Sequence, residues 1–253
     1  MNNQEDNKKD DFIFGIRAVI EAIRFGKDFD KVMIKRGLKG DLIKELMDEL
    51  NLNDIPFQYV PEEKLNRVSR KNHQGVIAFI SPITFYNLEN TIADIFEKGE
   101  VPFLLMFDGI SDVRNFGAMV RTAECAGVHA IIIPEKGAAR IGSDAVKTSA
   151  GALHKMPICR VSELKKTIDY IQLSGIRIFG ATEKASENYY ANNFNEPTCI
   201  VMGSEDVGLS NEVMRKCDYL IKIPIIGKIQ SLNVSVAAAI LMYDVVRQRI
   251  TNF

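Results

Sequence analysis

Three clusters of short polar side chains in the second half of the sequence have the residue types of a binding or catalytic site. They are "NFGAMVR" (115–121), "GSEDVGLS" (203–210) and "IPIIGKIQSLNVS" (223–235). Serine and asparagine supply neutral hydrogen-bond donors and acceptors, glutamate adds an acceptor, and arginine adds a cation. Glycines beside them let the backbone approach a ligand closely. Together these residues predict a site for a polar ligand.

Each cluster also has an ordinary structural explanation. Ser231 and Asn233 are good N-cap residues for the apolar helix that follows them. Arg121 is compatible with a surface position on a helix, and Glu205 with an acid in a glycine turn. No single cluster is therefore specific, and the prediction depends on all three occurring together.

The elements around the clusters predict where they meet. Apolar strands such as "FLLMF" (103–107), "HAIIIP" (129–134) and "TCIVMG" (198–203) alternate with helical segments. This alternation is typical of a mostly parallel sheet with helices on both faces, and ligands bind such sheets at the carboxyl ends of the strands. Each polar cluster follows a predicted strand. We therefore expect the three clusters to converge at one edge of the sheet.

The first part of the chain predicts a smaller α/β unit. Apolar spacing indicates helices at 14–26 and 41–52, and strands at 31–35, 56–60 and 75–80. The predicted organisation is a disordered tail (1–11), a first domain (12–82), a linker with one short helix (83–100) and a second domain (101–253).

Composition excludes several classes of protein. The polar start, "MNNQEDNKKDD", does not resemble a signal peptide, and no apolar run reaches the roughly 20 residues of a membrane helix. We therefore expect a cytoplasmic protein. The four cysteines and three histidines lack the spacing of metal ligands, so we predict no metal and no disulfide.

Charge indicates local rather than global attraction to nucleic acid. The chain has 32 basic and 33 acidic residues, but "KRGLK" (35–39) and "RVSRKNH" (67–73) form basic segments. Taken alone, each segment is more often a solvated loop than an RNA contact. The candidate RNA-binding residues are Lys35, Arg36, Arg67, Arg70 and Lys71.

The three clusters, in this order and spacing, resemble the motifs of the SpoU/TrmH group of RNA ribose 2′-O-methyltransferases. "KTSAGALHKMPI" (147–158) is similar to the segment between the first two motifs of that group. The first unit, which ends in "NHQGVIAFI" (72–80), resembles the substrate-binding domain of bacterial members that modify large-subunit rRNA. One departure is Ile225, where the group usually has methionine.

The resemblance implies a trefoil-knotted α/β methyltransferase that binds S-adenosylmethionine and acts as a homodimer on RNA. It implies that Gly203, Ile223, Leu232 and Thr182 hold the cofactor. The residues that it places around the methyl-transfer centre are Asn115, Arg121, Glu205, Ser231 and Asn233. We expect Arg121 to bind an RNA phosphate and stabilise the developing alkoxide, because a guanidinium is a poor proton acceptor. We expect Glu205 to orient Arg121.

The resemblance leaves the substrate open between 23S rRNA, with a guanosine as the expected target, and tRNA. Two other functions are compatible with an α/β chain of this kind. A non-catalytic RNA-binding protein on this scaffold could lack Arg121 or Asn233, and both are present. A nucleotide-dependent oxidoreductase would carry G-x-G-x-x-G after its first strand, and "DGISDVRNFG" (108–117) lacks that pattern.

Overall fold

The structure is a computed structural model that describes residues 12–229 and 231–250. The chain divides into two compact units: the first runs to Thr84 and includes Ile141–Ser143, and the second contains Phe85–Arg140 and the chain from Asp144 onward. The predicted tail, 1–11, lies outside the described residues. None of the described helices has the length and apolar character needed to cross a membrane.

The first unit is a sheet with helices on both faces. Within the described residues its four strands lie in the order β1-β4-β2-β3, antiparallel except for the β2–β3 pair. The strands are β1 (Phe12–Phe14), β2 (Phe29–Lys35), β3 (Phe57–Val60) and β4 (Val76–Ile80). The helices are α1 (Ile16–Arg24), α2 (Asp41–Leu52) and α3 (Glu62–Val68).

Alternating side chains of the central strands build two apolar clusters. Val32 and Ile34 of β2 pack in the cluster that contains α1 and α2, whereas Met33 packs in the other, with Leu65 of α3. Successive strand residues point to opposite faces, so an unbroken apolar strand is buried on both. The sequence did not predict α3, because Leu65 is its one buried residue and leaves no apolar period to detect.

The second unit contains a fully parallel sheet, which confirms the predicted α/β class. Within the described residues its eight strands lie in the order β10-β12-β9-β11-β6-β7-β8-β5. The strands are β5 (Phe85–Tyr86), β6 (Phe103–Asp108), β7 (Ala130–Pro134), β8 (Ile158–Val161), β9 (Arg177–Ala181), β10 (Glu187–Asn188), β11 (Thr198–Gly203) and β12 (Tyr219–Lys222).

The helices of this unit connect the strands. They are α4 (Leu88–Glu97), α5 (Val113–Cys125), α6 (Ser143–Thr148), α7 (Leu164–Leu173), α8 (Asn211–Met214) and α9 (Val234–Ile250), with 3₁₀ turns at Ala152–His154 and Tyr189–Ala191. The knot that the resemblance implies stays a prediction, because strand order alone does not decide how the chain is threaded.

The range 83–100 differs from the predicted linker. Phe85 and Tyr86 form β5, which pairs with β8 at the edge of the parallel sheet. Leu88, Ile92 and Ile95 of α4 are buried in the core of the second unit. A two-residue strand carries no period of its own, so the sequence offered no signal that this segment joins the sheet.

Strand order places a switch in the direction of the chain between β6 and β11. The chain proceeds from β6 to β7 and β8 on one side, and β11 then pairs with the free edge of β6. In parallel sheets the crevice at such a switch in direction is the usual binding position. The paired ends of these strands are Asp108, seven residues before the first polar cluster, and Gly203, the first residue of the second.

Arg249 anchors the end of α9 at the opposite edge of the sheet. Its guanidinium donates to the backbone carbonyls of Val101 and Pro102, which precede β6, and of Phe194 and Glu196, which precede β11. These four bonds are 2.8 to 3.0 Å long. Burial lowers the pKa of Arg249 to about 10, so the group stays charged at neutral pH.

We predict that Arg249→Ala lowers the free energy of unfolding by about 3 kcal/mol, because it removes a charged donor from four carbonyls. The control is Arg177→Ala, which breaks the exposed ion pair with Glu196 and should cost at most about 1 kcal/mol. Urea unfolding followed by circular dichroism measures both. Equal losses in the two variants would show that Arg249 is not an anchor.

Candidate active site

The three polar clusters of the sequence meet at the carboxyl edge of the sheet, beyond the ends of β6 and β11. The first cluster lies on α5, which follows β6, and the second follows β11. The third precedes and begins α9. The predicted convergence of these segments is therefore observed in the structure.

Glu205 joins the three clusters by hydrogen bonds. Its Oε1 atom accepts from Nδ2 of Asn115 at 2.6 Å and from Nδ2 of Asn233 at 2.9 Å. Nδ2 of Asn233 also donates to Oδ1 of Asn115 at 3.0 Å. A carboxylate offers acceptors only, so Glu205 can satisfy two amide donors at once. One residue from each cluster takes part in this network.

Asn233 also caps α9. Its Oδ1 atom accepts from the backbone N–H of Ser235 at 2.9 Å and from the Ser235 hydroxyl at 2.6 Å. The same side chain therefore satisfies free donors at the start of the helix and donates to Glu205. The geometry therefore supports both a capping role for Asn233 and its place in the network around Glu205.

Arg121 lies apart from this network. It is exposed on α5 and makes no hydrogen bond or ion pair with any described residue. Six residues separate it from Asn115, which is roughly 9 Å along the helix and about 120° around it. Within the described residues Glu205 accepts hydrogen bonds from the amides of Asn115 and Asn233 and makes none with Arg121, so its expected role in orienting Arg121 stays a prediction.

A cavity of about 570 Å³ opens beside the Glu205 network. Its lining includes all four predicted cofactor residues, Thr182, Gly203, Ile223 and Leu232. Among the predicted catalytic residues, it is lined by Glu205, Ser231 and Asn233, while Asn115 and Arg121 are not among the lining residues.

Apolar residues of the cavity were not predicted. Met202, Ile221, Ala237 and Leu241 line it beside the polar residues. In the sequence they belong to apolar strands and to α9, where a lining residue and a core residue have the same signal.

Gly203 is required by the chain itself. A Cβ atom there would lie 2.2 Å from the carbonyl carbon of Gly208 and 2.3 Å from the amide nitrogen of Leu209. Ser204 and Gly208 exchange two backbone hydrogen bonds that close this loop. The sequence suggested close approach to a ligand as the reason for glycine, whereas the structure shows that any side chain would first displace the 204–208 loop.

Burial raises the pKa of three of the four cysteine thiols, and the fourth, Cys125, is exposed. Burial raises the pKa of Cys159 to about 11 and that of Cys217 to about 12, so these thiols are protonated at neutral pH. Within residues 12–229 and 231–250, no group of three His, Cys, Asp or Glu side chains is arranged to hold a metal ion.

The predicted RNA-binding residues all lie in the first unit. Lys35 forms an ion pair with Glu62. Arg36, Arg67 and Arg70 are exposed and form no ion pair with a described residue. Lys71 is exposed, with its ammonium 5.7 Å from the centre of the Phe14 ring.

Two family models match the chain. The SpoU rRNA methylase family matches residues 102–243, and a model described as RNA 2′-O ribose methyltransferase substrate binding matches residues 12–86. YacO of Bacillus subtilis, named as a TrmH family tRNA/rRNA methyltransferase, is 35% identical over 96% of this chain and 98% of its own length.

Solved structures show the same likeness. The SpoU methyltransferase AviRb from Streptomyces viridochromogenes, in complex with AdoMet, is 25% identical with a TM-score of 0.61, covering 95% of this chain and 90% of AviRb. The TrmH/SpoU tRNA-modifying enzyme of A. aeolicus is 30% identical with a TM-score of 0.55, covering 65% of this chain and 85% of that enzyme. The chain therefore belongs to the SpoU rRNA methylase family and is an RNA methyltransferase of the SpoU/TrmH type.

Proposed function

We propose that this protein transfers a methyl group from S-adenosylmethionine to a ribose 2′-hydroxyl of structured RNA. The observation that carries the proposal is the meeting of three distant polar clusters at one cavity through Glu205. The proposed target is a guanosine of large-subunit rRNA, with tRNA as the alternative, and the proposed location is the cytoplasm.

The cavity suits S-adenosylmethionine in size and chemistry. Its volume of about 570 Å³ is in the range of small-molecule sites. Backbone groups of Gly203, Ile223 and Leu232, with Thr182, would hold the cofactor, while Ser231 and Asn233 add neutral polar groups without another charge. When bound, this cofactor supplies an electrophilic methyl group on a sulfonium.

Arg121 acts on the RNA rather than on the cofactor in this proposal. It lies outside the cavity lining and has no internal partner among the described residues, so its guanidinium is available to a phosphate. An RNA phosphate held by Arg121 fixes the adjacent ribose, and the same charge stabilises the oxygen as it loses its proton. Phosphate or water receives that proton.

Glu205 is a positioning residue in the same scheme. Its bonded Oε1 atom accepts from two amides, so it orients Asn115 and Asn233 toward the reacting groups. Much of the rate acceleration then comes from alignment of the ribose oxygen with the methyl group, since alignment alone lowers barriers substantially.

We infer rRNA as the substrate from the presence of the first unit, which a family model of RNA substrate binding covers over residues 12–86. The likeness to the tRNA-modifying enzyme extends over a smaller share of the chain. We infer that the first unit contributes to the choice of target, because enzymes that share one catalytic unit can differ in the domain appended to it.

The surface of α9 supports a homodimer. Val236, Tyr243 and Ile250 are 48%, 49% and 67% exposed and recur every seven residues, so they form one apolar stripe. An exposed apolar stripe of this kind is typical of an interface, and a second copy of the chain would cover it. Light scattering that gave the mass of a single chain would contradict the dimer.

Mapping of ribose methylation tests the proposed function. We predict that 2′-O-methyl mapping of rRNA and tRNA finds one rRNA position lost when the gene is deleted. Restoring the wild-type gene should restore it, whereas Arg121→Ala should not. In calorimetry, the Arg121→Ala protein should keep nearly normal affinity for S-adenosylmethionine. Loss of cofactor binding would refute the assigned role of Arg121, and an unchanged methylation map would refute the function.

Charge reversal tests the basic surface of the first unit. We predict that Arg36→Glu, Arg67→Glu and Arg70→Glu together weaken RNA binding and flatten its dependence on salt. Each lost phosphate contact should reduce the slope of log K against log salt by roughly 0.7 to 0.9. Matched reversal of Arg17, Lys27 and Lys44, which are exposed basic residues of the same unit, should change the slope less. Equal slopes in the two triple variants would exclude these arginines as the RNA contact.

A further inference from the structure

The two basic segments of the sequence line one cavity of the first unit. The segment 35–38 and the segment 71–75 come together with α3 around a space of about 520 Å³. The backbone N–H of Lys35 donates to the carbonyl of Gly75 at 2.8 Å. A Cβ atom on Gly75 would lie 2.2 Å from Leu38, so glycine is needed where the segments touch. The two segments therefore form one built site.

His73 fixes the wall of this cavity. It is 6% exposed, and its Nδ1 atom accepts from the backbone N–H of Gly75 at 3.0 Å. Nε2 therefore carries the proton of the neutral ring and donates to Oδ1 of Asn66 at 3.0 Å. Because Oδ1 of Asn66 is occupied, its Nδ2 group is left as a donor at the cavity.

Three side-chain amides at the cavity have hydrogen-bonding capacity to spare. Asn66 makes only the bond to His73 among the described residues. Asn72 and Gln74 line the same space, and neither side chain bonds to a residue within 12–229 or 231–250. Amide side chains offer donors and acceptors together, which is the pairing that a nucleobase edge requires.

Gln74 occupies a strained backbone conformation. Its φ of +51° lies in the left-handed region, which long side chains adopt rarely and glycine adopts freely. Strain of this kind is concentrated at functional sites. Gln74 therefore reaches the cavity from a backbone conformation that glycine would adopt more freely.

The polar groups of the cavity include hydrogen-bond acceptors as well as cations. Lys35, Glu62 and Lys71 line it, and Lys35 and Glu62 form an ion pair of 2.5 Å. The hydrogen bond to Lys35 holds the pKa of Glu62 below its usual value, so the carboxylate stays ionised at neutral pH. The carboxylate and the amide oxygens at the cavity accept hydrogen bonds from the N–H groups of a base, which a phosphate does not have.

We propose that this cavity binds one unpaired nucleobase of the RNA and reads its hydrogen-bonding edge through Asn66, Asn72 and Gln74. The proposal rests on the proposed function, since it assigns the first unit a place in recognising the RNA. Unstacked bases of loops and bulges are the parts of RNA that proteins read by sequence. The exposed arginines hold the backbone and the cavity selects the base.

Binding of short RNAs to the full-length protein tests the proposal. The probes are four single-stranded RNA heptamers that differ only in the central base and carry uridines on both sides, measured by fluorescence anisotropy. The wild type should prefer one central base by about tenfold, the discrimination of a good pair of hydrogen bonds. Asn72→Ala and Gln74→Ala should each abolish most of that preference and leave the salt slope unchanged.

The matched control is Asn51→Ala, an exposed amide of the same unit outside the cavity, which should keep the preference. Equal binding of the four heptamers by the wild type, or no binding at low salt, would overturn the proposal. A loss of affinity equal for all four RNAs in Gln74→Ala would also overturn it. Methyl incorporation into cellular RNA by the wild type separates failure of this proposal from failure of the proposed function. If the wild type methylates RNA but shows no base preference, only the base-reading cavity is refuted.

Discussion

The second unit depends on one carboxylate oxygen that two amides share. Glu205 follows β11, Asn115 lies on α5, and Asn233 begins α9, and Oε1 of Glu205 bonds to both asparagines. Because Asn233 also caps α9, the orientation of that helix and the position of the 204–208 loop are linked through a single side chain. The cavity wall is formed where these elements meet.

The parallel sheet makes this meeting possible. β6 and β11 are far apart in sequence but adjacent in the sheet, so the loops after Asp108 and Gly203 leave the same edge. α9 extends across the unit from this edge to the opposite one, where Arg249 bonds to the carbonyls before both strands. The two ends of α9 are thus held by different interactions. The amide network holds the end at the candidate active site, and the guanidinium of Arg249 holds the end at the opposite edge of the sheet.

Sequence patterns predicted the elements whose burial is periodic. Strands such as β6 and helices such as α2 were visible because unbroken apolar runs and helical spacing reflect burial directly. β5 and α3 were not visible, because β5 has only two residues and α3 has only one buried residue. The convergence of the polar clusters was also predictable, because carboxyl ends of parallel strands share an edge.

Details of the site were predicted less well, because they depend on directions that spacing does not encode. Arg121 and Asn115 belong to one motif yet point about 120° apart on α5. Gly203 appeared to serve a ligand, but its nearest neighbours are the backbone atoms of Gly208 and Leu209. The apolar lining of the cavity was indistinguishable from core.

A double-mutant cycle between Glu205 and Asn233, with S-adenosylmethionine affinity measured by calorimetry, tests the shared carboxylate most directly. Glu205→Ala and Asn233→Ala should each weaken binding by about tenfold or more, the cost of losing a hydrogen bond to a charged group. Because they remove the same network, the double variant should bind no more weakly than the worse single variant. Additive losses, or single variants with normal affinity, would contradict the account.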